Sequence, residues 1–395
     1  MSELEFHPLT YIAEGDGVTV GRVDNDSYVQ LPADGAELLR RLSHGMRVPD
    51  AAAWYEGEYG EQLDVDDFVE SMREVGFVRA DGEPVAIAPT PRWQRLGRLA
   101  FGPAAWAVYA AVAAAAGWAL ATRPTLRPHP AQLFFVPHLI VVQLVIALLQ
   151  SPAVLWHEWY HVLAARRLGL ASRMSVGRRY FYVVVETSMD GLLGVPPRRR
   201  YLPMLAGILA DLVLYSLLVL AAAALGQSLF GRLAVAVAYT VLLRVVWQFF
   251  IFLRTDLYFV AATALGCVDL ASASRAYLRH RLHSLHWLHR LRWLRRRPQP
   301  AEADWSDDVW SPRDRRGAPV FLLLSVLGGV ALVATTVLGA LPVLVLFLRR
   351  AASELSGHGG VVGIGDSAAS VLMLTAELVV LPLLAGWRST RSRQE

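Results

Sequence analysis

Cysteine is almost absent from this sequence of 395 residues, since Cys267 is the only one. One cysteine excludes a disulfide within the chain and a metal site built from several thiolates. Charged residues make up only 18% of the sequence, whereas 54% of the residues are hydrophobic. Soluble domains usually contain about 25% charged residues, so the composition favours a membrane protein. The first residues also lack the basic, apolar and small-residue succession of a cleavable signal peptide, and we expect none.

Six apolar runs are long enough to cross a membrane, because about 20 helical residues span about 30 Å of hydrocarbon. They cover 99–121, 133–165, 202–225, 233–265, 320–348 and 368–387. The net charge is only +4, and the arginines cluster beside these runs. Such clusters mark the cytosolic side of a membrane protein rather than a nucleic-acid surface. We therefore expect a multi-pass protein of the cell membrane, in contact with lipid, with both termini in the cytosol.

Residues 1–90 predict a small soluble domain. Strand-like runs at 18–23 and 27–31 flank a turn at 24–26. Helical spacing of apolar residues predicts three helices, which begin near residues 35, 48 and 64. Two strands followed by three helices indicate an α/β winged-helix-like module. The predicted fold is thus an all-α polytopic membrane protein, of about six helices, with a small N-terminal α/β domain.

The remaining chain divides into a membrane core at 91–265, a basic segment at 266–318 and a C-terminal pair of spans at 319–395. Within the basic segment, leucines repeat at helical spacing among arginines from Arg275 to Arg297. This pattern predicts an amphipathic helix on the cytosolic leaflet. Four histidines on it could suggest a metal site, but the surrounding arginines would repel a cation.

The sequence His157-Glu158-Trp159-Tyr160-His161 is an HExxH motif within the second apolar run. Residues four apart share one face of a helix, so the two imidazoles can bind one zinc ion. Glu158 is then placed to accept a proton from a water molecule at the metal. Ionisable side chains are costly inside apolar segments, and three together there indicate function.

A catalytic zinc ion usually has three protein ligands, and Asp256 is the best candidate for the third. It interrupts the apolar run at 233–265; the alternative is an aspartate at a helix end on the membrane surface. Asp211 and Arg244 can form an ion pair between the third and fourth spans. That alignment ends the fourth span near Arg254, whereas the zinc alignment continues it to residue 265, and we favour the latter. Glu377 is expected to face the bundle interior.

These residues resemble the site-2 protease family over about residues 140–265. His157, Glu158, His161 and Asp256 match the family's two ligand-bearing helices, and the small-residue run at 205–210 is similar to the span between them. The resemblance implies a zinc metallopeptidase with a strand at 180–185 that pairs with an extended substrate. It assigns Tyr180, Tyr182 and Val184 to substrate binding. The chain departs from the family at Tyr160 and Leu257, where glycine is usual. These larger side chains leave the openness of the substrate groove as an open question.

Residues 21–80 resemble the PqqD family, whose domains bind leader segments of ribosomally made peptides. Together the resemblances imply a membrane enzyme that cleaves a peptide or protein substrate, including a modified peptide recruited from the cytosol. Two alternatives stay open. One is a non-catalytic peptide-binding or export component with a degenerate metal site. The other is a regulated intramembrane protease that acts in signalling.

Overall fold

The computed structural model describes residues 4–14, 17–22, 24–80, 83, 92–179, 182–267, 269–284, 305, 310–358 and 360–376. It is mostly helical and divides into two compact units. The first unit contains Met1–Arg98, Val162–Arg173 and Ser188–Pro203, and the second contains Leu99–His161, Met174–Thr187 and Met204–Glu395.

The N-terminal domain combines a three-stranded sheet with three helices, which confirms the predicted small α/β domain. Its antiparallel sheet has the order β1-β2-β3. The strands are β1 (Thr10–Glu14), β2 (Gly17–Arg22) and β3 (Ser27–Pro32), and the helices are α1 (Ala33–Ser43), α2 (Val48–Tyr59) and α3 (Val65–Glu74). The sequence analysis missed β1.

Apolar residues at the predicted helical spacing form the core of this domain. Leu38, Leu39 and Leu42 of α1 are fully buried, as are Val20 of β2 and Phe77. The sheet and helices therefore pack through the faces that their sequence periods define.

Arg200 connects the N-terminal sheet to the segment 188–203 of the same unit. Its side chain is 2% exposed and donates to both carboxylate oxygens of Glu14, at 3.0 and 3.0 Å. It also donates to the carbonyls of Leu193 at 2.8 Å and Val195 at 2.6 Å. Arg200, the last residue of the arginine run at 198–200, thus has a structural role in addition to its charge.

Apolar helices make up most of the second unit. The helices that follow the N-terminal domain are α4 (Gln94–Ala100), α5 (Pro103–Thr122), α6 (Leu139–Arg167), α7 (Pro197–Leu225), α8 (Leu229–Trp247), α9 (Asp256–Leu265), α10 (Leu270–Ser284), α11 (Pro312–Thr335), α12 (Leu341–Ser353) and α13 (Gly360–Thr375). A two-stranded sheet of β4 (Arg173–Arg179) and β5 (Tyr182–Ser188) lies between α6 and α7 in the chain.

Five helices of the described residues are long and apolar enough to cross a membrane, or six if the bent pair α9–α10 counts as one span. They are α5, α6, α7, α8 and the continuous helix Pro312–Ser356, in which π-helical turns extend α11 and α12. This number is consistent with a membrane protein. The last predicted span begins within α13, and its end at 377–387 lies outside the described residues, as does Glu377. The predicted amphipathic helix overlaps α10, but most of it, at 285–297, also lies outside them.

One predicted span is wrong. The apolar run at 233–265 is two helices rather than one, because α8 ends at Trp247 and α9 begins at Asp256. Between them the chain turns through a short 3-10 helix at Ile251–Leu253, and Arg254 takes a left-handed conformation with φ of 57°. Hydropathy alone does not reveal such a break, since the turn is built from phenylalanine, isoleucine and leucine.

Candidate metal centre

The HExxH motif lies in the second half of α6. His157 and His161 are one helical turn apart, and their ring centroids are separated by 5.0 Å. Their exposed fractions are 5% and 4%, and that of Glu158 is 9%. Burial of three ionisable side chains is costly unless each has a partner, so the contacts of these residues define the site.

The break between α8 and α9 brings Asp256 to the histidines. Gln248, just after α8, holds the first turn of α9: its side-chain oxygen accepts from the Asp256 amide at 3.1 Å, and its carbonyl accepts from the Thr255 hydroxyl at 2.7 Å. Asp256 is therefore the first residue of a helix, with its carboxylate at a place that a continuous α8 would not provide.

Three ligand atoms converge in the second unit. The Asp256 Oδ2 atom lies 3.1 Å from Nε2 of His157 and 3.3 Å from Nε2 of His161, and the two Nε2 atoms are 3.3 Å apart. In a tetrahedral zinc site with bonds of about 2.0–2.1 Å, neighbouring ligand atoms are separated by about 3.3 Å. The observed separations match that edge length, so the predicted ligands His157, His161 and Asp256 fit a zinc ion.

The chemistry of the donors also favours a cation. His157 Nδ1 lies 3.0 Å from Oδ2 of Asp211, and because a carboxylate accepts, Nδ1 is the donor of this hydrogen bond. Its Nε2 atom then faces Nε2 of His161 and the Asp256 carboxylate. These three atoms repel each other at such distances unless a positive charge lies among them, and a metal ion or a proton supplies one. Two imidazoles and one carboxylate are ligands that zinc accepts.

Asp211 contacts Nδ1 of His157, the ring nitrogen that does not face the other ligands. Its side chain is fully buried, and Arg244 pairs with both of its oxygens, at 2.9 Å from Nε and 2.5 Å from Nη2. Arg244 also donates to Gln150 Oε1 at 3.1 Å and to the Ala153 carbonyl at 3.3 Å. The chain from Arg244 through Asp211 to His157 fixes the ring orientation and tautomer, as outer carboxylates do in metal sites.

The ion pair of Asp211 and Arg244 confirms the sequence prediction, and it does not compete with Asp256. The two alignments of the fourth span seemed to exclude each other because that span was treated as one helix. With the break after Trp247, α8 carries Arg244 to Asp211 and α9 carries Asp256 to the histidines. Both contacts therefore occur together.

The position of Gly207 accounts for the small residues at this point of α7. A Cβ atom built on Gly207 would overlap Nε2 of both His157 and His161. The neighbouring Ala206 and Ala210 are fully buried. The absence of a side chain at Gly207 thus lets α7 approach the ligand atoms and leaves room beside them.

Glu158 contacts the two-stranded sheet. The Thr187 hydroxyl of β5 donates to Glu158 Oε2 at 2.7 Å. This bond fixes one carboxylate oxygen and with it the orientation of the group. Sequence reasoning missed Thr187, because nothing in the order of the chain links a strand residue to a helix residue 29 positions earlier.

Tyr160, one of the two departures from the family pattern, is accounted for by packing. Its ring lies against Phe101, Tyr109 and Trp156, with centroids 5.9, 6.4 and 4.9 Å away, and its hydroxyl lies 3.1 Å from that of Tyr109. The large side chain therefore has a place among neighbouring aromatic rings. Leu257, the other departure, follows Asp256 in the first turn of α9 and is partly buried.

The predicted substrate strand overlaps β5, which begins two residues later than expected. Tyr182 and Val184 belong to β5, but their side chains lie outside the described part of the structure, as does the whole of Tyr180. Their assignment to substrate binding stays a prediction. The contact of β5 with the motif is made by Thr187 instead.

Comparisons of the chain with protein-family models, with curated proteins and with solved structures gave no match. A function for this chain must therefore be inferred from the arrangement of His157, Glu158, His161 and Asp256 and from the apolar helices that carry them.

Proposed function

We propose that this chain is a membrane-embedded zinc metallopeptidase of the site-2 protease type, which cleaves a peptide or a membrane-associated protein. The observation that carries the proposal is the convergence of His157, His161 and Asp256 beside Glu158. The two histidines and Glu158 come from α6 and Asp256 comes from α9, and the three ligand atoms meet at distances that suit one zinc ion.

His157, His161 and Asp256 would hold the metal. Zinc bound there would act as a Lewis acid toward the scissile carbonyl and an attacking water. Asp211 accepts a hydrogen bond from Nδ1 of His157 and so leaves Nε2 to face the other two ligands. Arg244 neutralises Asp211, which would otherwise be an uncompensated buried charge.

Glu158 is the proposed general base. Its carboxylate accepts a proton from the attacking water and then delivers it to the leaving amine. The Thr187 hydroxyl holds Oε2 of Glu158 in one orientation. Because Thr187 belongs to β5, a substrate strand added to the sheet of β4 and β5 would lie close to the base.

The N-terminal domain is the proposed recruiting module. β3 is an edge strand of its sheet, and an extended peptide can add to such an edge through main-chain hydrogen bonds. A PqqD-like role would make this peptide a ribosomally made substrate, recruited from the cytosol before cleavage. Recruitment raises the local substrate concentration without altering the chemical step.

The enzyme assignment competes with a non-catalytic peptide-binding or export component. Tyr160 and Leu257 are the departures that favour a degenerate site, and Tyr160 packs against aromatic neighbours without displacing a ligand. The ligand set and Glu158 are intact, which favours catalysis. A protease that acts in signalling would use the same site and differ only in its substrate.

The experiment compares wild type with Glu158→Gln on a peptide library, with cleavage read by mass spectrometry and zinc by elemental analysis. The amide keeps the size of the side chain but does not accept the proton, so we expect zinc to stay and cleavage to fall about 100-fold or more. Glu58→Gln, at an exposed position of α2, is the control and should cleave normally. Zinc-loaded wild type that cleaves no peptide would favour the binding component, and an active Glu158→Gln variant would assign the base elsewhere.

A further inference from the structure

A second site lies in the second unit, away from the zinc ligands. The loop after α5 and the turn between α7 and α8 enclose a cavity of about 370 Å³. Its polar lining includes Arg123, Arg232, His129 and Gln132. No carboxylate is among the described residues that line it, so the cavity is positively charged.

The two arginines are held differently. Arg123 follows the last residue of α5, and its Nη1 donates to the Ala223 carbonyl near the end of α7 at 2.5 Å. Gln132 stiffens the same loop by donating to the carbonyls of Thr125 at 3.1 Å and Arg127 at 2.9 Å. Arg232 in the first turn of α8 is exposed. Its guanidinium has no hydrogen bond or ion pair with any residue that the structure describes, so it is available to a ligand.

The position of the cavity adds a second argument. It lies beside the ends of three apolar helices, since α5 ends at Thr122, α7 ends at Leu225 and α8 begins at Leu229. The opposite end of α7 carries the arginine run at 198–200. Arg123 and Arg232 therefore oppose the bias that places basic residues on one side of a membrane, and a bound anion would account for their presence.

The other walls of the cavity are apolar. Leu126, Phe135 and Val235 line it beside the arginines. A ligand that combines an anionic group with hydrocarbon matches this division. We propose that the cavity binds a phosphate group, carried by an anionic phospholipid headgroup or free in solution. The lipid source depends on the helices lying in a membrane, but the site is independent of zinc and of peptide cleavage.

The test titrates the full-length protein in detergent with phosphatidylglycerol and counts retained lipids by native mass spectrometry. We expect wild type to retain about one lipid, and Arg232→Gln to weaken that binding about fivefold, as loss of one basic residue near a headgroup should. Arg127→Gln is the matched control. It removes the same charge from the loop after α5, but Arg127 does not line the cavity.

The source of the phosphate is tested by adding inorganic phosphate at millimolar concentration. Displacement of the lipid would support a site for the free anion, whereas retention of the lipid would support a headgroup site. Thermal unfolding provides the check that Arg232→Gln is folded. The proposal is overturned if Arg232→Gln and wild type bind phosphatidylglycerol and phosphate equally, or if Arg127→Gln loses as much binding as Arg232→Gln.

Discussion

The N-terminal domain and the apolar helices place polar and apolar side chains in opposite ways. In the domain, residues such as Leu38, Leu42 and Phe77 are fully buried. In the helices, Leu148 is 70% exposed and Leu338 is 77% exposed, whereas His157, His161 and Asp211 are buried and Arg244 and Asp256 are half-buried. The domain buries apolar side chains, and the helices bury the polar side chains around His157.

This difference is consistent with a different force in each region. Water drives the apolar faces of the domain into a core. Between helices in hydrocarbon that force is absent, and close packing and buried polar contacts must hold them instead. Removal of a polar group from the apolar helices should thus reduce stability more than removal of a polar group from the domain. Mutations can test this order.

The largest effect is expected at the buried ion pair. Asp211→Asn leaves Arg244 without its charge partner, which costs about 3–5 kcal/mol for a buried pair. It also removes the carboxylate that orients His157, and zinc affinity should fall about 10- to 100-fold. Thermal unfolding and chelator competition measure the two quantities.

A double variant separates these two roles. Asp211→Leu combined with Arg244→Met removes both charges, so stability should recover relative to Asp211→Asn. Zinc affinity should stay low, because leucine offers Nδ1 of His157 no acceptor. Recovery of both quantities would mean that the pair is structural only.

The sequence predicted most of this candidate site, because the proposed ligands are ionisable residues in apolar runs and such residues are conspicuous. HExxH indicated two ligands and the base, and the interruption at Asp256 indicated the third. The break after Trp247 was not predictable from hydropathy, since apolar residues fill the turn. Thr187 and Gln248 were missed because their roles arise from tertiary contacts with Glu158 and Asp256. Strand β1 of the domain was also missed, although the helices of that domain followed from their spacing.

A smaller effect is expected at Gly207. Gly207→Ala places a methyl group against both ligand imidazoles, and overpacking of this kind costs about 1–3 kcal/mol. Zinc affinity should fall with it. The matched control is Gly117→Ala in α5, where a Cβ atom meets nothing within 4 Å. That variant should be neutral or more stable by about 0.5–1 kcal/mol. Equal zinc affinity in the two variants would contradict the close approach of α7.

The smallest effect is expected in the domain, at the hydrogen bond from the Tyr55 hydroxyl to Asp34. This bond holds the pKa of Asp34 below its usual value of 3.8 and raises the pKa of Tyr55 to about 12. Tyr55→Phe should reduce the stability of α1 and α2 by about 1 kcal/mol. Hydrogen exchange of these helices in the full-length protein measures it.

The stability that this hydrogen bond contributes should depend on pH and should fall in acid. Because the pKa of Asp34 is lower in the folded domain than in the unfolded chain, its contribution is complete above pH about 4 and is lost as Asp34 protonates in the folded state. The difference between wild type and Tyr55→Phe should therefore shrink in acid. A loss of stability in Tyr55→Phe that exceeds the loss in Asp211→Asn would reverse the order expected from the comparison of the two regions.

The zinc content of the purified protein tests the central claim most directly. Elemental analysis of wild type should give about one zinc ion per chain, as a site with these three ligands would hold. His161→Ala should lose most of that zinc, and His138→Ala, at an exposed position just before α6, should keep it. Wild type without zinc, or His161→Ala with full zinc, would contradict the assignment of His157, His161 and Asp256 as the metal ligands.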